Sequence, residues 1–149
     1  MQKLKINDII KRIERQETFD ATAFDNSFRI KITKYVPYCC TAIHDGSNFR
    51  EQLKKKISLD EFQRWFEEDP HTGEFITAMP ITISGLDSRF EYDLNRRPED
   101  CIYEEAWGNK VWNRPLTPTE KQTSKQKHFN FYKVVYAIVS KLEELYGSC

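Results

Sequence analysis

Three clusters of polar residues have the types and spacing that hydrolytic chemistry uses. The first is His44-Asp45-Gly46, directly after the apolar and small run from Tyr35 to Ile43. Ligands of open α/β sheets gather at the carboxyl ends of strands, so His44 stands where a metal ligand would be placed. The second is Glu67-Glu68-Asp69-Pro70-His71, which closes a segment carrying Phe62, Trp65 and Phe66. Carboxylate oxygen and neutral imidazole nitrogen together suit zinc-like ions, which makes Asp69 or Glu68 a partner for His44. The third runs from Ser88-Arg89 to Asp93-Leu94-Asn95-Arg96. Here Arg96 can grip a carboxylate through two parallel hydrogen bonds, or pair with Asp93 or Glu99. Each cluster also has a plainer reading, as a capped loop histidine, a solvated acidic face and a strand-exit ion pair.

These groups need elements to position them. Ile9, Ile10 and Ile13 fall at helical spacing after Asn7 and predict a first helix ending near Gln16. Phe28, Ile30 and Ile32 alternate with Arg29, Lys31 and Thr33, the pattern of a half-buried strand, expected at an edge or on the outside of the sheet. Tyr35 to Ile43 reads as a strand covered on both faces. Ser58-Leu-Asp-Glu61 and Thr117-Pro-Thr-Glu120 are capping boxes that should each open a helix. Ile81 to Gly85 and Phe90 to Leu94 predict two further strands. The last helix should present Phe129, Tyr132, Val135, Tyr136, Val139, Leu142 and Leu145 as its apolar face and stop at Gly147.

That order of elements predicts an α/β fold with a mostly parallel or mixed sheet, and residues 1–149 as a single domain. A helix with so wide an apolar face normally feeds another strand, so the expectation is an incomplete domain that self-associates through uncovered apolar surface.

With 39% hydrophobic and 31% charged residues the chain is expected to fold, and 23 basic residues against 23 acidic ones leave no field that favours nucleic acid. The charged N-terminal stretch lacks the apolar core of a signal peptide or membrane span, so a cytoplasmic protein is expected. Cys39, Cys40, Cys101 and Cys149 have no zinc-finger spacing and are read as reduced thiols. His128 is expected on the polar side or margin of the last helix, in a surface or packing role. Trp65, Trp107 and Trp112 are read as packing residues.

The order His-x-Gly after a strand, acids about one helix later, and Ser-Arg ahead of Asp-Leu-Asn-Arg resembles the N-formylglutamate amidohydrolase family. The Asp-Leu-Asn-Arg segment is also similar to the substrate-carboxylate motif of zinc carboxypeptidases and aspartoacylase-type enzymes. The resemblance covers most of the chain from about Tyr35 onward. It implies a three-layer α/β/α, zinc-exopeptidase-like fold and hydrolysis of the amide bond of an N-acyl acidic amino acid. It implies His44 and Asp69, with Glu68 as the near alternative, as ligands of a divalent metal, zinc or cobalt. Arg96 and Asn95 would then hold the substrate carboxylate, Arg89 would contact substrate or organise its loop, and Asp93 would orient Arg96. The family completes its metal shell with a histidine from a downstream Asp-x-His-Ser strand, which this sequence does not contain. The chain is therefore expected to be an N-terminal fragment, inactive alone. The alternative is a noncatalytic module that binds anionic metabolites.

Overall fold

Residues alternating between apolar and polar along Phe19–Ala23 (β2), Phe28–Ile32 (β3) and Ile81–Gly85 (β5) build the centre of a five-stranded mixed sheet in the computed structural model, which describes residues 2–147. Gln2–Leu4 (β1) and Cys40–Ala42 (β4) form its edges, giving the order β1-β2-β3-β5-β4. β1 pairs with β2 in parallel, as β4 does with β5, whereas β3 is antiparallel to both β2 and β5. Four strands therefore share one direction, and their carboxyl ends lie on one rim. The register sets Phe19 opposite Ile32, Ala21 opposite Ile30 and Ile30 opposite Ile83, so these side chains share one face. Asp20, Arg29 and Lys31 point the other way, where Arg29 pairs with Asp20 at 2.6 Å.

Two helices cover the apolar face. Ile6–Glu14 (α1) buries Ile9 and Ile13, and Pro118–Tyr146 (α5) buries Phe131, Val134, Ile138 and Leu142. These side chains join Phe28, Ile30, Ile32, Ile81 and Ile83 in the main core, with Phe28 edge-on to Phe131 at 5.7 Å. The α5 capping box forms as the sequence indicates: Thr117 accepts from the Glu120 amide, and Glu120 accepts from the Thr117 amide. A second core under the loops gathers Phe49, Leu53, Leu59, Phe90, Val111 and Trp112. It is framed by Glu51–Lys54 (α2), Glu61–Glu67 (α3) and the hairpin Glu105–Ala106 (β6) with Asn109–Lys110 (β7), while Thr72–Phe75 (α4) lies against β4.

Several expectations are corrected. β3 is central, because alternation reports which face is buried and not how many neighbours a strand has. The run from Tyr35 to Ile43 contributes only the short edge strand β4, and Cys39 and Cys40 are half-buried. Phe90 to Leu94 is a buried series of turns, held by the Glu91 amide on the Ser88 carbonyl and the Asp93 amide on the Cys101 carbonyl. The cap of α3 is Asp60, with Gln63 completing its box, while Ser58 hydrogen-bonds the Lys110 carbonyl. The buried stripe of α5 is rotated from the expected one: Phe129, Tyr136 and Val139 are exposed. His128 takes the packing one of its two expected roles, buried and 2.9 Å from the Arg96 carbonyl. Trp112 is a packing residue, whereas Trp65 and Trp107 are half exposed. Among the described residues no helix is long and apolar enough to cross a membrane. Cys149 lies outside the described residues.

Candidate functional site

His44 follows the end of β4, on the carboxyl rim of the parallel strands. The chain after it runs beside the segment that leaves β5: the Asn48 amide donates to the Leu86 carbonyl at 3.0 Å, and the Ser88 amide to the Asn48 carbonyl at 2.8 Å. This approach is why Gly46 lacks a side chain, since a methyl there would overlap the Leu86 backbone. Pairing the two segments brings His44 to Asp93.

Asp93 organises what surrounds it. Its carboxylate is fully buried, with Oδ1 2.8 Å from His44 Nε2 and accepting from the Asn95 amide at 2.6 Å. Oδ2 accepts from Arg89 at 2.8 Å and from the Tyr103 hydroxyl. Burial pushes this carboxyl up, but the bonds from His44, Tyr103, the Asn95 amide and Arg89 outweigh it and hold it well below the ordinary carboxylate range. Arg89 is raised in turn: burial works against its charge, and the Asp93 bond overcomes it.

The other ring nitrogen of His44, Nδ1, faces Asp69 Oδ2 at 3.2 Å. Asp69 is half exposed and takes a left-handed backbone, φ 41°, just after α3. A non-glycine residue held there stores strain of about 1 kcal/mol or more. A carboxylate can only accept, so a neutral ring satisfies one of its two carboxylate neighbours. A ring that donates from Nε2 to Asp93 and has no proton on Nδ1 presents a lone pair on the side where Asp69 sits, whereas a ring protonated at both nitrogens donates to both carboxylates.

The fit to a metal can be judged from these distances. Two donors each about 2.1 Å from a tetrahedral zinc ion lie about 3.4 Å apart, against the 3.2 Å between His44 Nδ1 and Asp69 Oδ2. A buried carboxylate behind the ligating imidazole is the usual support for a histidine ligand. The separation is compatible with two donors on one ion, although Asp69 Oδ2 also lies 3.5 Å from Arg89 Nη1, whose charge opposes a cation there. A third does not stand with them: among the described residues no group of three His, Cys, Asp or Glu is arranged to hold one.

The remaining sequence candidates separate. Glu68 is buried away from this pair, its Oε1 taken by the Ser88 hydroxyl and by Arg64 at 3.2 Å. Arg89, expected to meet substrate or organise its loop, does the second: it holds Asp93 and the Glu67 carbonyl, the latter at 2.9 Å. Asp93 orients His44 and Arg89, where the sequence suggested Arg96. Asn95 and Arg96 are exposed, and Arg96 is held above its ordinary value first by Tyr103 and then by Asp93. They open on a cleft of about 400 Å³ whose far wall is Phe129, Tyr132 and Tyr136 of α5; His44 does not line it. His71 pairs with Glu74 at 2.8 Å on the surface. Tyr103 was not anticipated, because an aromatic ten residues past Asp93 carries no spacing signal.

No family model, curated protein or solved structure matches the chain.

Proposed function

We propose that this chain carries the first metal-binding half and the carboxylate clamp of a metal-dependent amidohydrolase of the N-formylglutamate deformylase type, cleaving the amide bond of an N-acyl acidic amino acid. The observation that supports it most is His44 held between buried Asp93 and exposed Asp69, with Asn95 and Arg96 leaving the same Asp93 turn. The mixed five-stranded sheet with its helices is compatible with an α/β architecture, of which the motif order implies the three-layer, zinc-exopeptidase-like form.

In this reading His44 and Asp69 hold zinc or cobalt. The ion, when bound, supplies Lewis-acid polarisation of an amide carbonyl. Asp93 fixes the ring and its tautomer, so that Nδ1 is free to ligate. Arg96, with Asn95 beside it, takes the substrate carboxylate and limits the substrate's rotation, which makes attack on its amide effectively intramolecular. Two donors from the described residues are expected to hold the ion weakly.

A second reading is a binding module for anionic metabolites, favoured by one observation: the cleft beside Asn95 and Arg96 is not lined by His44. Titration of N-formylglutamate, followed by the amide resonances of Asn95 and Arg96, separates the two. The hydrolase reading expects zinc to strengthen binding, and expects Arg96→Leu to remove it. Binding indifferent to zinc and to His44→Ala would leave the module.

A further inference from the structure

Loops that leave the carboxyl ends of β2, β4 and β5 meet at one rim of the sheet and wall a cavity of about 620 Å³, the size of a small-molecule site. Asp25 and Asn26 come from the first loop, Ser47 and Asn48 from the second, and Leu86 and Asp87 from the third. Crevices at the carboxyl ends of strands are where α/β sheets take their ligands. None of His44, Asp69, Asp93, Asn95 or Arg96 lines this one.

Its lining includes charged groups that are almost fully buried, which is costly unless something repays their desolvation. Lys127, reaching in from α5, is 8% exposed, and Asp87 is 7% exposed. Asp87 Oδ2 accepts from the Tyr92 hydroxyl at 2.6 Å and from Lys127 at 2.9 Å. An ammonium has three donors, and the next carboxylate, that of Glu91, lies 3.8 Å away, beyond hydrogen-bond length. Lys127 therefore keeps donors for a ligand. Thr22, also in the lining, is buried, and its hydroxyl has no hydrogen-bond partner. Buried hydroxyls are nearly always bonded, so this one marks a place where a polar group belongs.

The lining carries four cations, Lys3, Arg50, Lys54 and Lys127, and two anions, Asp25 and Asp87. Arg50 is committed: it holds Glu91 at 2.6 Å, the Glu120 carbonyl at 3.0 Å and the Ser124 hydroxyl at 2.6 Å. Lys54 meets Glu51 in an exposed pair, which is weak and easily exchanged for a ligand. Lys3 is exposed and stands beside Thr22 in the β1–β2 register. Three ammonium groups thus remain for an oxyanion. Asp25 and Asp87 would repel a bare anion but accept from hydroxyl groups, and an uncharged sugar would leave the ammonium groups unanswered.

We propose that this cavity binds a small hydroxylated oxyanion, a sugar phosphate or a polyhydroxy carboxylate, with its charge against Lys3, Lys54 and Lys127 and its hydroxyls against Asp25, Asp87 and Asn48. The test is titration of the full chain with glucose 6-phosphate, gluconate, glucose and inorganic phosphate, followed through backbone amide resonances. Glucose 6-phosphate or gluconate should bind below about 1 mM, at least tenfold tighter than glucose or inorganic phosphate, and should move the amides of Asn26, Asn48 and Asp87. The tighter of the two identifies the oxyanion. Lys3→Met with Lys54→Met should weaken that binding at least tenfold without lowering the melting temperature, since both lysines are exposed. Thr22→Val keeps the side-chain volume and should weaken binding severalfold with melting unchanged or raised. Lys11→Met, at an exposed lysine of α1 outside the cavity, should change nothing. Binding should persist without zinc and in His44→Ala, which keeps its outcome separate from that of the hydrolase reading. Absence of binding by all four probes, glucose or inorganic phosphate binding as tightly as the hydroxylated anions, shifts confined to Asn95 and Arg96, or equal loss in Lys11→Met or His44→Ala overturns the proposal.

Discussion

Nε2 of His44 lies 2.8 Å from Oδ1 of Asp93, a carboxylate with no exposure to solvent. The same carboxylate holds Arg89 and Tyr103, so a single buried charge sets the imidazole, the guanidinium and the phenol in register. Removing that charge takes its nearest carboxylate from a mostly buried guanidinium and leaves it only the half-exposed Asp69 at 3.5 Å, which costs more than an exposed pair is worth.

Asp93→Asn should therefore destabilise the protein by about 3 kcal/mol or more, whereas Asp69→Asn, at a half-exposed carboxylate, should cost less than about 0.5 kcal/mol. Urea unfolding of the two variants checks the contrast. Equal losses would mean that Asp93 is not the organising group.

The acid limb of stability follows from the carboxyls whose values fall on folding. Hydrogen bonding from Lys56, then from the Thr117 amide, takes Glu120 down to about 2 from 4.5. Asp93 is also depressed from 3.8. The unfolded chain binds more protons at these sites, so their stabilisation is whole above about pH 4.5 and is lost as pH falls toward 2. Asp87 works the other way, because burial raises it, and softens the decline. Glu120→Gln should flatten the slope between these limits in acid titration of unfolding. An unchanged slope would show that the Lys56 and Thr117 contacts do not persist in solution.

The face of α5 that meets the sheet can be read by substitution. Phe131→Ala removes a buried ring from the main core and should cost about 3–5 kcal/mol, while Phe129→Ala should stay within about 0.5 kcal/mol. Thermal or urea unfolding distinguishes them, and the reverse order would restore the stripe that sequence spacing suggested.

Much of this was written in short-range signals. The Thr117 box, the alternation of Phe28, Ile30 and Ile32 and the strand at Ile81 appear where the pattern puts them, because each depends on neighbours a few residues away. The placement of β3 at the centre, and of Phe90 to Leu94 in turns, depends on pairings with Gly85 and Cys101 that no local period encodes. At α3 two acceptable caps lie two residues apart, and Ser58 was drawn off by the hairpin carbonyl of Lys110. In α5 a helix rich in aromatics on several sides offers two stripes, and only the sheet chooses between them. The site divides the same way. His44, Asp69 and Asp93 were visible as residue types, but that Asp93 serves His44 more than Arg96, and that Tyr103 joins them, follows from the fold alone.

The most direct test is a zinc titration followed through the imidazole ¹⁵N resonances of the three histidines. Weak, saturable binding should move Nδ1 of His44 strongly, leave His71 and His128 nearly still, and vanish in His44→Ala and Asp69→Asn. Zinc that binds with His44 unmoved, or that binds equally well after Asp69→Asn, would contradict the assignment of this pair as metal ligands.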